Sequence, residues 1–162
     1  LDDDEGTLVN LSDLSNDQVH AVAAHLAVAE AVIQTRLAAE IVPEERRYRL
    51  RLAGKWAGGQ QTGGKLAQVF SRRSGDWQLT DARHPLADDT ELVVLVDFIP
   101  DAPKFYVIPA DWFREDVKQR HDAFLANVAD RRRNPDSHHH NVRTPDVEQW
   151  HGRWEAARLA TG

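Results

Sequence analysis

The chain has 162 residues, 41% hydrophobic and 28% charged, with a formal net charge of −6, eight histidines, five tryptophans and neither Cys nor Met. That length suits one domain with one real core, and the balance of apolar to charged residues is that of a globular chain rather than a disordered one. No stretch approaches the roughly 18 apolar residues a membrane-spanning helix needs, so no membrane partner is expected. The absence of Cys excludes disulfides and thiolate metal sites and fits a reducing compartment, which reads as cytoplasm. The acidic run Asp2, Asp3, Asp4, Glu5 is unlike a secretory leader, and a chain that starts at Leu1 without Met is expected to have a natural start further upstream. A net charge of −6 argues against a general nucleic-acid binder, whose affinity rests on neutralising phosphates, although a local basic patch could still bind one.

In chain order, residues 1–14 read as a solvated lead-in and 15–162 as a single domain. Ser15, Asn16 and Asp17 offer N-cap chemistry for a long helix. Val19, Val22, Leu26, Ala29, Ile33 and Leu37 recur at helical spacing, which predicts a buried stripe that runs to about Pro43. From Tyr48 the period becomes two, with Tyr48, Leu50 and Leu52 on one face and Arg47, Arg49 and Arg51 on the other, as on a half-buried strand. After a loop rich in Gly and Gln, residues 66–71 and 77–80 read as strands joined by a turn at Ser74, Gly75 and Asp76. Residues 92–98 are apolar except for Asp97, which predicts a central strand covered on both faces, and residues 105–108 follow as its hairpin partner. Asp111 opens a helix with the stripe Phe113, Val117, Phe124 and Val128. Residues 131–142 read as a polar loop. Thr144 and Pro145 start a last helix whose inward stripe is Val147, Trp150, Trp154 and Ala157. The fold class expected is α/β (α+β), a central mixed sheet of about five strands flanked by an N-terminal helix and two C-terminal helices.

Several groups of residues could carry chemistry. Gly59, Gly64 and Lys65 match part of a phosphate-binding loop, but Leu66 stands where Ser or Thr should hold magnesium, and a strand follows where a helix N-terminus is needed. A flexible hairpin loop is the better reading. His138, His139 and His140, joined by His121 or His151, could ligate a metal through neutral imidazoles. Adjacent residues on an extended segment point in different directions, so a solvated loop, or one His docked on a helix, is favoured. His20 and His25 do not share a helical face and read as surface residues. Arg47, Arg49, Arg51, Arg72 and Arg73 are candidate nucleic-acid-binding residues if their strands converge, and otherwise pair with carboxylates or guard a sheet edge. Trp56, beside the Gly-rich loop, is the one tryptophan considered as a stacking surface.

Three stretches carry a family likeness. Ala29-Glu30-Ala31-Val32 lies in the first helix, and Gln68-Val69-Phe70-Ser71-Arg72 is followed by Trp77-Gln78-Leu79. The third comprises Leu92-Val93-Val94-Leu95-Val96-Asp97-Phe98 and Pro103-Lys104-Phe105-Tyr106-Val107-Ile108-Pro109, with the ending His138-His139-His140-Asn141-Val142-Arg143. Together they resemble the PD-(D/E)XK nuclease-like superfamily, in an uncharacterised bacterial branch, and the likeness implies a restriction-endonuclease-like fold. It also implies a Mg2+ site built from Glu30, Gln68 and Asp97, with Glu30 and Asp97 as the metal ligands, if the chain is active. The family's chemistry needs an aspartate, a second carboxylate or glutamine, and a lysine to orient water. Phe70 stands at the lysine position, and no aspartate occurs between Asp17 and Asp76. The expectation is therefore a degenerate nuclease-like domain that needs no cofactor and binds DNA or a protein partner in nucleic-acid processing or defence. The alternatives are an active Mg2+-dependent endonuclease, and a protein-interaction or immunity-type module with no nucleic-acid role.

Overall fold

The computed structural model describes residues 11–42, 48–128 and 137–158. Its first long element is α1 (Asn16–Thr35), opened by a capping box in which Ser15 and Gln18 satisfy each other's backbone amides. The helix ends earlier than its periodicity predicts, because Arg36 adopts the left-handed conformation and donates its backbone N–H to Val32 O. The chain then forms β1 (Ala38–Val42), a strand that the helical spacing of Ile33 and Leu37 had concealed. The strands that follow are β2 (Arg49–Ala57), β3 (Gln60–Thr62), β4 (Lys65–Arg72), β5 (Trp77–Leu79), β6 (Leu92–Asp97) and β7 (Lys104–Pro109). Next come α2 (Ala110–Val128), β8 (His140–Val142) and the single turn α3 (Thr144–Val147). The long final helix expected from Thr144 is instead this turn followed by 3-10 segments at Glu148–Trp150 and Trp154–Ala157.

The architecture is α+β, with a mixed main sheet in the order β1-β2-β4-β6-β7. The β4 and β6 strands are parallel and the other neighbouring pairs antiparallel. The crossover between β4 and β6 contains β5, which pairs with β8 in a separate two-stranded sheet. As expected, β6 is central and buried along its whole length. An extra residue at Ala53, with φ of 59°, bends β2, so that Ala38 faces Gly54 while Ala39 faces Leu52. Beyond the bend, β2 and β3 form an arm closed by Gly58 and Gly59, both at positive φ, which suits a tight two-residue hairpin turn. At Gly64 a side chain would collide with the Leu52 carbonyl, so only glycine lets the two strands close.

Strand alternation divides the core into two halves. On one face, α1 packs over Leu50, Leu52, Val69, Val94 and Val107. The helix presents Ala23, Ala24, Ala27 and Ala31 rather than the expected stripe of large residues, and Ile33 is 66% exposed. Small side chains let the helix backbone lie close to the sheet, and that close approach selects the buried face over residue hydrophobicity. On the other face, Trp77, Tyr106, Phe113 and Val117 surround Val93, Leu95 and Ile108. On α2 the expected stripe holds through Phe113 and Val117, but the next buried position is His121, while Phe124 is largely exposed. Arg73 ties residues 11–14 to the end of β4, donating to the carbonyls of Leu11 and Leu14. Among the described residues no helix is long and apolar enough to cross a membrane.

Candidate functional site

The nuclease likeness would place a metal-holding glutamine and a lysine on β4, at Gln68 and Phe70, with β2 alongside. Register sets Arg49 opposite Gln68, and alternation points Arg49, Gln68, Phe70 and Arg72 away from α1. The Arg49 guanidinium forks onto Asp89, at 2.7 Å to Oδ1 and 3.3 Å to Oδ2, which holds the Asp89 carboxyl below the usual range. The Gln68 Oε1 accepts from the Ala87 amide at 3.4 Å. Phe70 stacks on Phe113 with ring centroids 6.3 Å apart. The position at which the family needs a water-orienting lysine is thus occupied by a packed aromatic.

Glu30, Gln68 and Asp97 are not brought together. Glu30 lies on α1, across the sheet from Gln68, and its Oε1 accepts from the Gln34 amide nitrogen at 2.9 Å. Asp97 shares the Gln68 face, but Gln68 pairs with Val93, so Asp97 is four residues further along. At the usual rise per strand residue that is roughly 13 Å. The Asp97 carboxylate is committed where it stands, accepting from Arg72 Nη2 at 2.7 Å and from the Ile99 amide at 3.0 Å.

The candidate phosphate-binding arginines serve the fold. Arg51 lies 4.0 Å from Glu40. Arg72 binds Asp97, Thr144 Oγ1 and the Gly75 carbonyl, with its guanidinium 3.8 Å from the Trp77 ring centroid. Arg73 ties Leu11, Leu14 and Asn16 to the end of β4. Arg47 lies outside the described residues. Lys65, the candidate phosphate lysine, donates to the Ala156 carbonyl at 3.2 Å. Trp56 remains 67% exposed, on the glycine-closed arm of β2 and β3.

A second constellation was only partly legible in the sequence. His121 occupies the buried stripe of α2, one turn after Val117, and is 2% exposed. His138 and His140 arrive from the other direction, beside and within β8. Their rings lie 5.6 and 5.5 Å from that of His121, measured between centroids. Being two apart on extended chain, they share a side, whereas His139 between them is exposed. Buried His138 Nδ1 and His140 Nε2 have no hydrogen-bond partner among the described residues. Burial depresses the His140 pKa, His121 depresses it further, and Asp146 and Asp116 oppose the shift. His151 stands apart, against Tyr106.

Two clefts flank this cluster. A cleft of about 330 Å3 between α2 and the loop after β5 has His121 in its wall. Another of about 560 Å3, between α2, β8 and α3, is walled by His140 together with Arg120, Arg143 and Asp146. Arg120 bridges Asp116 at 2.8 Å and Asp146 at 3.2 Å, so both acids already hold a cation. Among the described residues, no three His, Asp or Glu side chains are placed to hold a metal ion. The alternation of residues 138 and 140 and the helical step to His121 were the available signals, but only the fold brings the two segments into contact. Compared with protein-family models, curated proteins and solved structures, the chain matches none.

Proposed function

We propose that this chain is a nuclease-like domain that acts by binding and does not hydrolyse nucleic acid. The observation that carries the reading is the state of the β2–β4 pair. Arg49 is closed onto Asp89, Gln68 receives the Ala87 amide, and Phe70 is packed on Phe113. Two metal-holding groups and a lysine would be needed there for hydrolysis. The element order of a long helix, a strand meander, a buried central strand and a further helix keeps the arrangement on which the family likeness rests.

A protein partner carrying basic groups is favoured over DNA. The arginines that might have formed a phosphate-binding face are paired with Asp89, Glu40 and Asp97 or with backbone carbonyls, and the net charge is −6. The test is fluorescence anisotropy of the full chain with labelled single-stranded, duplex and branched DNA over a salt series, with and without Mg2+. The expected result is neither cleavage nor salt-sensitive binding at low salt. Salt-sensitive binding would move the partner to DNA. Mg2+-dependent cleavage that disappears in Glu30→Ala would overturn the non-catalytic reading and establish an active endonuclease.

A further inference from the structure

We propose that the outward face of α1 is a self-association surface, on which a second copy of this chain lays its own α1 antiparallel. Val22, Leu26, Ala29 and Ile33 fall within about 60° of one another around the helix at 3.6 residues per turn, roughly opposite the alanine row that meets the sheet. Ile33 is 66%, Val32 42% and Leu26 38% exposed, and Ala29 is exposed as well. From Gln18 to Thr35 the one formally charged side chain is Glu30, at the margin of this face. A helix that is apolar all round is covered on both sides, and the sheet covers only one.

The face suits a second copy better than a basic partner, because it offers such a partner almost no carboxylate. A twofold axis at the middle of the stripe sets Leu26 of each copy against Ala29 of the other, and Val22 against Ile33, so that large side chains meet small or medium ones. The ends of the helix favour the antiparallel direction. Asp13 and Asp17 lie at the N-terminal end, and Arg36 closes the C-terminal end. Antiparallel pairing brings Arg36 of one copy to the acidic end of the other, whereas parallel pairing would bring like charges together. These end contacts are exposed, so they choose the direction more than they add affinity.

The area available sets the strength. A helical seam about 30 Å long and about 10 Å wide covers roughly 300 Å2 on each copy. Gly54 pairs with Ala38, two residues past Arg36, so the exposed Trp56, two residues past Gly54 on the antiparallel strand, lies at the same end of α1. A buried indole would add about 200 Å2. The pair of copies then buries about 1,000 Å2, the lower limit of a specific interface, and a dimer forming at about 10 μM or above is expected. Each chain carries −6, so two copies repel at long range. Salt screens that repulsion and leaves the apolar seam in place, so self-association strengthens with salt, whereas attraction of a basic partner weakens.

The experiment is sedimentation velocity of the full chain from about 1 to about 500 μM, at about 0.15 M and about 0.5 M NaCl, with the melting midpoint of the dilute protein measured alongside. The mass should rise from that of one chain toward that of two, more readily at the higher salt. Leu26→Glu and Ile33→Glu should each weaken association at least about tenfold, since a carboxylate would be buried in the seam, and leave the dilute melting midpoint unchanged. Arg36→Glu should weaken it by about two- to fivefold. The mass of a single chain at every concentration and both salts would overturn the proposal. A dimer that Leu26→Glu and Ile33→Glu leave unchanged would place the contact elsewhere, and association that weakens as salt rises would make it charge-driven; either result sinks the α1 seam. A lowered dilute midpoint in Ile33→Glu, at the most exposed position of the stripe, would mean that residues of the same chain cover it, and would also overturn the proposal. If Leu26→Glu alone does not fold, Ile33→Glu decides.

Discussion

The two faces of the central sheet are packed by different means. Over one, α1 lays a row of alanines on Leu50, Leu52, Val69 and Val94. Over the other, large aromatics share the space with buried Arg49, Gln68, Arg72, Asp97 and His121. The first face is held by close approach of backbones, where the cost of a change is steric. The second is held by partnered polar groups, where the cost of a change is an orphaned charge or donor.

The largest effect should come from breaking the buried ion pair. Arg72→Ala strands Asp97 and is expected to cost about 3–5 kcal/mol in urea unfolding, whereas converting both residues to leucine should recover much of that loss. A single-variant cost below about 1 kcal/mol would mean that water reaches the pair. Next in size is overpacking of the opposite face. Ala27→Leu, pushed against the sheet where no space is left, is expected to lose about 1–3 kcal/mol. If that substitution proves neutral in a melting experiment, the helix is not as closely seated as the alanine row implies. Removing the cap with Ser15→Ala should lower stability by about 1 kcal/mol, measured by denaturant midpoint at constant slope. The smallest effect belongs to Asp89→Ala. Its carboxylate is 62% exposed, so solvent screens the pair with Arg49 and little loss of stability is expected. A larger loss in a double-mutant cycle with Arg49 would show that this pair helps hold the β2–β4 face in its closed form.

Much of the fold was legible because its signals are local. The Ser15 cap, the alternation of Leu50 and Leu52 with Arg49 and Arg51, the unbroken apolar run of β6 and the start of α2 are all written within a few residues. The core face of α1 differs from the expected stripe, of which Val19 alone is buried on the helix, because closeness of packing rather than hydrophobic size decides which side faces the sheet. The strand β1 was missed for a related reason, since the residues after the left-handed Arg36 continue an apolar spacing that serves helix or strand equally.

The sequence by itself determined the cap of α1, the alternation along β2 and the central place of β6. These follow from side-chain chemistry and short-range periodicity, which folding does not alter. Only the tertiary structure decided what each charged residue faces. It set Arg72 against Asp97, closed Arg49 onto Asp89, kept Glu30 across the sheet from Gln68, and carried His138 and His140 to His121. Pairings of this kind join residues far apart in the chain, and strand register and the seating of a helix determine them, neither of which any local pattern encodes.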